Sequence, residues 1–307
     1  MSFFHREVTD SPTIPHSKSN RLKSYHYRMR HRANGYGPVK IFFLLLSLLL
    51  PATASHAGET LTFGIVPQQS ASKLARLWGP ILQHISDRTG VTLQFATAPD
   101  IPSFEKRLSS GVYDLAYMNP YHYTVFRKSP GYLPLAKARD NRIKGIIVVR
   151  KDSGLRDLTE LNDNTLAFPS PTAFAASILT RSHLSRLGVN YTPRYVSSHD
   201  SVYRAVAKGI FPAGGGVVPT FNNLAPDVRE ELKILWTTEG YTPHAVTVHQ
   251  RLKKSTAEKI KQALIALEQS PDGKRLLRGI RIKGFESAAD QDWDDIRKLN
   301  LKLLSDL

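Results

Sequence analysis

At 307 residues, 41% of them hydrophobic and 22% charged, the chain has ordinary globular composition and is long enough for two lobes of typical domain size. It contains no cysteine, which excludes disulfide staples, thiolate metal sites, a thiol nucleophile and a lipid-modified cysteine anchor. The formal net charge is +16; residues 1–57 hold eight Lys/Arg against two Asp/Glu, so +10 remains on the rest. A basic domain suits an anionic solute or an anionic membrane surface, with plain solvated charge as the alternative for each scattered lysine. No basic-aromatic stripe is present, which argues against nucleic acid.

Ile41 to Leu50 is a ten-residue apolar run. It is too short for a bilayer span of about 20 residues and matches a signal-peptide core. Arg28, Arg30, Arg32 and Lys40 precede it, and Ala52-Thr53-Ala54 and Ser55-His56-Ala57 place small residues after it. The pattern predicts a signal peptide over residues 1–57, cleaved after Ala57, and export to the periplasm. Residues 1–28 form a long polar leader, so Met29 is an alternative start.

From Leu61 onward strand and helix patterns alternate. Leu61, Phe63 and Ile65 show the period of a strand, and Leu74, Leu77, Trp78, Ile81, Leu82 and Ile85 form a helical stripe closed by Gly90, with Pro80 starting its main turn or kinking it. Val91 to Phe95, Val112 to Met118 and Ile143 to Arg150 read as strands, and Ser103 to Ser110 as a helix. A second series follows: strand Leu166–Phe168, helix Pro171–Leu187, strand at Tyr195, helix Ser201–Lys208, a Gly-rich strand over Phe211–Val218, and strand Leu232–Thr237. After the strand Ala245–Val248 the rest reads as helical, with Ser255-Thr256-Ala257-Glu258 as a capping box.

This succession predicts an α/β fold with mostly parallel sheets. Two lobes are expected, one from 58–148 plus 246–307 and the other from 149–245, with the chain crossing near 148–152 and 242–246.

Certain stretches, in order, carry a family likeness. Phe63-Gly64-Ile65-Val66-Pro67-Gln68-Gln69-Ser70 leads to Leu77-Trp78-Gly79-Pro80, then Ala98-Pro99-Asp100, Asp114-Leu115-Ala116-Tyr117-Met118-Asn119-Pro120, and Ile146-Ile147-Val148-Val149-Arg150-Lys151-Asp152-Ser153-Gly154. The set resembles the periplasmic binding proteins of phosphate, phosphite and phosphonate ABC transporters. That resemblance implies a two-lobe fold with two crossover segments, a ligand cleft between the lobes, and delivery of a small anion to an ABC permease. Phe168-Pro169-Ser170-Pro171-Thr172-Ala173-Phe174-Ala175-Ala176-Ser177 with Ser198-His199-Asp200 is similar to the sensing ectodomains of tetrathionate-responsive histidine kinases. It implies, as an alternative, a free-standing sensory subunit for a membrane histidine kinase, and makes a sulfur oxyanion the first candidate ligand.

The candidate site is a binding site. Ser170 is a plausible N-cap with Pro171 as first helical residue, so N–H groups of Thr172, Ala173 and Phe174 would face an anion at the helix start. The family places a Ser-Thr-Ser cluster here; Pro171, Thr172 and Ala173 keep one of its hydroxyls. Gln68 and Gln69 follow the first strand, and Tyr117, Asn119 and Tyr121 follow another, where ligands sit in open α/β sheets. The resemblance makes Tyr117 a ligand-contacting tyrosine; a core or turn role is the alternative for Asn119 and Tyr121. It also makes His199 a ligand contact, against an exposed His199 beside a capping Ser198 or Asp200. The family's acidic residue maps near Pro212 and is missing. These losses, with flat apolar area from Phe174 and Tyr121, favour a larger, softer or less charged oxyanion over phosphate.

Enzyme readings lack their partners. Ser70-Ala71-Ser72-Lys73 has no Lys-Thr-Gly or Ser-Asp-Asn to join it, and Gly214 to Gly216 lack a following Gly-Lys-Ser/Thr. His244 and His249 fall on opposite faces of a strand and cannot share a metal. The chain is therefore expected to be a monomeric binding protein without cofactor, metal or catalytic residues.

Overall fold

A computed structural model describes residues 59–304; the expected signal region, residues 1–57, lies outside the described residues. The first series runs β1 (Thr60–Ile65), α1 (Ala71–Thr89), β2 (Thr92–Ala96), α2 (Ile101–Ser109), β3 (Leu115–Met118), α3 (Pro120–Phe126) and β4 (Tyr132–Ala138). The second begins with β5 (Gly145–Arg150) and β6 (Asn164–Phe168), then a π-helical segment Phe174–Leu179 leading into α4 (Thr180–Arg186). It continues through β7 (Tyr191–Tyr195), α5 (His199–Ala207), β8 (Ala213–Val217), α6 (Val218–Asn222), α7 (Pro226–Glu230) and β9 (Leu232–Thr237). The chain returns through β10 (Ala245–His249), α8 (Lys254–Ala266), α9 (Pro271–Gly279), β11 (Phe285–Ser287) and α10 (Asp294–Arg297).

Local chemistry accounts for the helix ends. Ser70 caps α1 by accepting from the Lys73 N–H, and Gly90 ends it in the left-handed region at φ 70°, where a side chain would be strained. Between them Leu74, Trp78, Ile81, Leu82 and Ile85 are buried, each contributing about 1.5–3 kcal/mol. The helix starts at Ala71 and continues through Pro80 rather than starting there. Lys253 occupies the N-cap of α8 without a side-chain bond, so the expected capping box at Ser255 does not form.

Two sheets organise the two lobes. The first has the order β11-β4-β10-β3-β1-β2, the second β7-β6-β8-β5-β9. The βαβ units pair in parallel, β1 with β2 and β3, and β6 with β7 and β8. β10 runs antiparallel to β3 and β4, β11 to β4, and β5 to β8 and β9. The sheets are therefore mixed, not mostly parallel. β5 and β10 each enter from the other lobe, at the cleft end of the sheet, and so run against the strands that βαβ connections lay down.

β5 lies wholly in the second sheet, so the first passage falls between Ala138 and Gly145, earlier than 148–152; the second falls between Thr237 and Ala245. The passing segments pair with each other, Ile143 N–H to Tyr241 O at 2.8 Å and Tyr241 N–H to Ile143 O at 3.0 Å. No described helix is long and apolar enough to cross a membrane.

Candidate functional site

The strand ends of both lobes deliver polar groups to one cleft. Two small cavities lie in it. The larger, about 60 Å³, is lined by Gln68, Gln69, Trp78, Tyr117, Thr220 and His244 among others. The smaller, about 10 Å³, is lined by Gln68, Asn119, Ala173, Phe174, His199 and His244 with apolar neighbours. Val66, Gln68, Ile143, Val217 and His244 border both.

The second lobe's contribution starts at Ala173, not Ser170. Ala173 is the N-cap residue, and its carbonyl accepts from Ser177 at 2.7 Å and Ile178 at 3.2 Å in the wide π-turn. The N–H groups of Phe174, Ala175 and Ala176 open this helix and have no carbonyl within it to reach. Phe174, Ala175 and Ala176 line the smaller cavity, so the helix start lies three residues later than the expected one at Ser170. The π-turn sits close on the sheet because Gly145 and Gly215 have no side chain. A Cβ there would meet the Ala175 oxygen at 2.1 Å and the Ala176 oxygen at 2.0 Å. The Gly-rich strand thus admits a helix backbone and the side chains of Val202 and Tyr203, not a ligand.

Ser170 and Thr172 are buried behind the cavity. Ser170 Oγ lies 3.4 Å from Thr172 Oγ1, and the Thr172 hydroxyl donates to Glu105 Oε1, so it is not offered to a ligand. Glu105 also accepts from His122 Nε2 at 2.7 Å. Asn119 caps α3 through a 2.8 Å bond from the His122 N–H, and its Nδ2 donates across the cleft to the Thr172 carbonyl at 3.3 Å. Pro171 is exposed. Asn119 therefore combines a turn role with a place in the cavity wall.

Tyr121 does not reach the cleft. It lines a surface depression with Ile296 and Leu304, and its hydroxyl accepts from the Leu304 N–H at 3.0 Å. Tyr117 does reach it, wedged between Trp78 at 4.7 Å and His244 at 4.9 Å, and burial pushes its hydroxyl pKa up. Gln69 spans to the second lobe, its Nε2 donating to Asp200 Oδ1 at 3.4 Å. The Gln68 carbonyl accepts from the His199 N–H at 3.0 Å.

His199 is buried in the cleft wall while Ser198 caps α5. Its Nδ1 lies 3.2 Å from Thr220 Oγ1, and burial holds the imidazole pKa down at about 3. His244 was not anticipated as a site residue. It precedes β10 and lines both cavities, whereas His249, at the far end of that strand, packs edge-on against Tyr132. A histidine next to a crossover segment is the signal that would have pointed to it.

At the cleft mouth the lobes are joined by charged contacts. Lys73 Nζ donates to the Asn223 carbonyl at 2.7 Å and lies 3.6 Å from Asp200 Oδ2. Arg281 donates to Asn223 Oδ1 at 2.7 Å and to the Asn222 carbonyl at 2.9 Å. Lys73 and Arg281, from the first lobe, thereby hold the C-terminal end of α6 in the second. The arrangement encloses a small space lined by apolar side chains, amides, imidazoles and Arg281; among the described residues no cluster of ligands suited to a metal ion occurs.

Residues 63–293 match the family model described as "ABC transporter, phosphonate, periplasmic substrate-binding protein". The phosphonates-binding periplasmic protein of Escherichia coli is 23% identical over 274 residues, covering 84% of this chain and 81% of that protein. The phosphate-import protein PhnD of Mycolicibacterium smegmatis is 22% identical over 68% of this chain and 72% of its own length. Among solved structures, PhnD1 of Prochlorococcus marinus in complex with methylphosphonate superposes with a TM-score of 0.72 at 20% identity, over 79% of this chain and 98% of that one. A binding protein component of an ABC phosphonate transporter from Pseudomonas aeruginosa gives 0.73 at 17% identity, over 79% and 86%. The fold is that of these two-lobed binding proteins, and the chain belongs to the family of periplasmic substrate-binding proteins of phosphonate ABC transporters.

Proposed function

We propose that this protein captures a small phosphorus oxyanion, a phosphonate or phosphate, in the periplasm and presents it to an ABC importer. The observation that carries this reading is the size and lining of the cleft in a chain of this family. About 10–15 Å³ admits one water, so the larger cavity, about 60 Å³, admits roughly four to six non-hydrogen atoms. Methylphosphonate and phosphate are ions of that size, whereas tetrathionate is about twice as large. The cavity walls supply free N–H groups at a helix start, amide side chains and imidazoles, all suited to an oxyanion.

The expected preference for a larger, softer anion rested on the hydroxyls missing at 171 and 173, the acid missing near 212, and Tyr121 and Phe174 as flat walls; of these Tyr121 is elsewhere. The sulfur-oxyanion and kinase-partner readings gain no support from the relatives, which are phosphonate- and phosphate-binding proteins. The test is isothermal titration with methylphosphonate, phosphate, phosphite and tetrathionate. Binding of a phosphorus oxyanion with no tetrathionate binding is expected. Tetrathionate binding in preference to every phosphorus oxyanion would overturn the assignment.

A further inference from the structure

His244 is 5% exposed, its ring is stacked on Tyr117 with an interplanar angle of 18°, and its Nε2 has no hydrogen-bond partner among the described residues. Buried polar atoms are almost always paired, so one left over in a cavity wall marks a place where a ligand atom belongs. His199 shares the smaller cavity with it. The remaining polar side chains of that wall are Gln68 and Asn119, and the larger cavity adds Arg281, whose guanidinium is already engaged by Asn223 Oδ1 and the Asn222 carbonyl. An anion brought into such a space needs a compensating charge.

We propose that His244 contacts the ligand directly through Nε2 and itself takes up a proton when an oxyanion binds. The proposal rests on the reading of the cleft as an oxyanion site and adds how that site balances the charge it buries. The groups facing His244 are Tyr117 from β3, His122 from α3 and His199 from α5, with Arg281 in the wall of the larger cavity. Glu105 from α2 lies beyond His122 and is bonded to it, and Asp200 from α5 is engaged by Gln69 and Lys73. None of these places a carboxylate against the imidazole. In the closed cleft burial, with the neighbouring histidines, holds His244 at about 3, and burial holds His199 at about 3. A bound anion reverses that balance, because an adjacent opposite charge favours the imidazolium. Capture then tightens as pH falls, with a limit of about tenfold in Kd per pH unit for one proton.

The experiment is titration of the purified protein with methylphosphonate at pH 6 to 8, in buffers of different ionisation enthalpy. His244→Asn, which keeps a donor and cannot become charged, is run beside it. Methylphosphonate has its own ionisation, so the reading is the difference between the two proteins. The unaltered protein should take up close to one more proton than H244N and show the steeper pH profile. Equal proton uptake and parallel profiles with both proteins binding would overturn the proposal and leave the proposed function standing. Failure of the unaltered protein to bind methylphosphonate, phosphite or phosphate would overturn the function itself, and this inference with it. Should H244N not fold, histidine ring nitrogen chemical shifts of the unaltered protein decide. A His244 imidazole that becomes cationic with ligand at pH 7 supports the proposal, and one that stays neutral refutes it.

Discussion

Replacing Lys73 with alanine removes the contact that ties α1 of the first lobe to the end of α6 in the second. The ammonium donates to the Asn223 carbonyl at 2.7 Å and sits 3.6 Å from Asp200, with the two side chains 19% and 12% exposed. A hydrogen bond to a charged group is worth about 1.5–3 kcal/mol. When the lobes part, Lys73 regains water, and the partly exposed ion pair adds little. A net loss of about 1–2 kcal/mol of closure energy follows, which is roughly a five- to thirtyfold rise in apparent Kd, because affinity scales with the population of the closed state. Lys73 lines neither cleft cavity, so ligand contacts stay intact. Titration of Lys73→Ala with methylphosphonate, and X-ray scattering to read the radius of gyration with and without it, test this. An unchanged Kd together with an unchanged compaction would show that the contact does not govern closure.

Three further outcomes are expected. Ala173→Ser places a hydroxyl in the wall of the smaller cavity and should tighten phosphonate binding by about tenfold, whereas Pro171→Ser, on an exposed residue, should leave Kd within about twofold; calorimetry separates them. Gly215→Ala drives a methyl to within 2.0 Å of the Ala176 oxygen and should cost about 3 kcal/mol or more, read as a lower urea midpoint. For the protein without ligand, His199 and His244 have folded pKa values of about 3, below the unfolded value near 6.5. The unfolded chain then binds more protons between those limits, so their contribution to stability is complete above about pH 6.5 and is lost as pH falls toward 3, at up to about 1.4 kcal/mol per pH unit for each. Urea unfolding at pH 7 and pH 5 checks the sign; equal stability would count against burial of both rings as neutral groups.

What the sequence by itself determined is local and periodic. The alternation of strand and helix, the capped α1 stripe ending at Gly90, and the cleft-facing loops after β1 and β3 all follow from residue spacing and from where strands end. The ordered stretches between Phe63 and Gly154 also carried the family, because they follow one another through the first part of the matched region. β4 was hidden: it contains Pro134 and becomes a strand through its neighbours β10 and β11 on either side. The running direction of β5 and β10 depends on the chain returning from the other lobe, which periodicity does not record.

The site divided in the same way. Gln68, Asn119, Phe174 and His199 could be placed near the cleft because each sits beside a strand end or a helix start. The partners of the others lie far along the chain. Glu105 takes the Thr172 hydroxyl from 67 residues away, and Leu304 draws Tyr121 aside from 183 residues away. His244 enters the cleft because the second crossover delivers it there, against Tyr117 and opposite His199. Side-chain pattern reports which face of an element is buried; only the packed structure decides which distant group meets it.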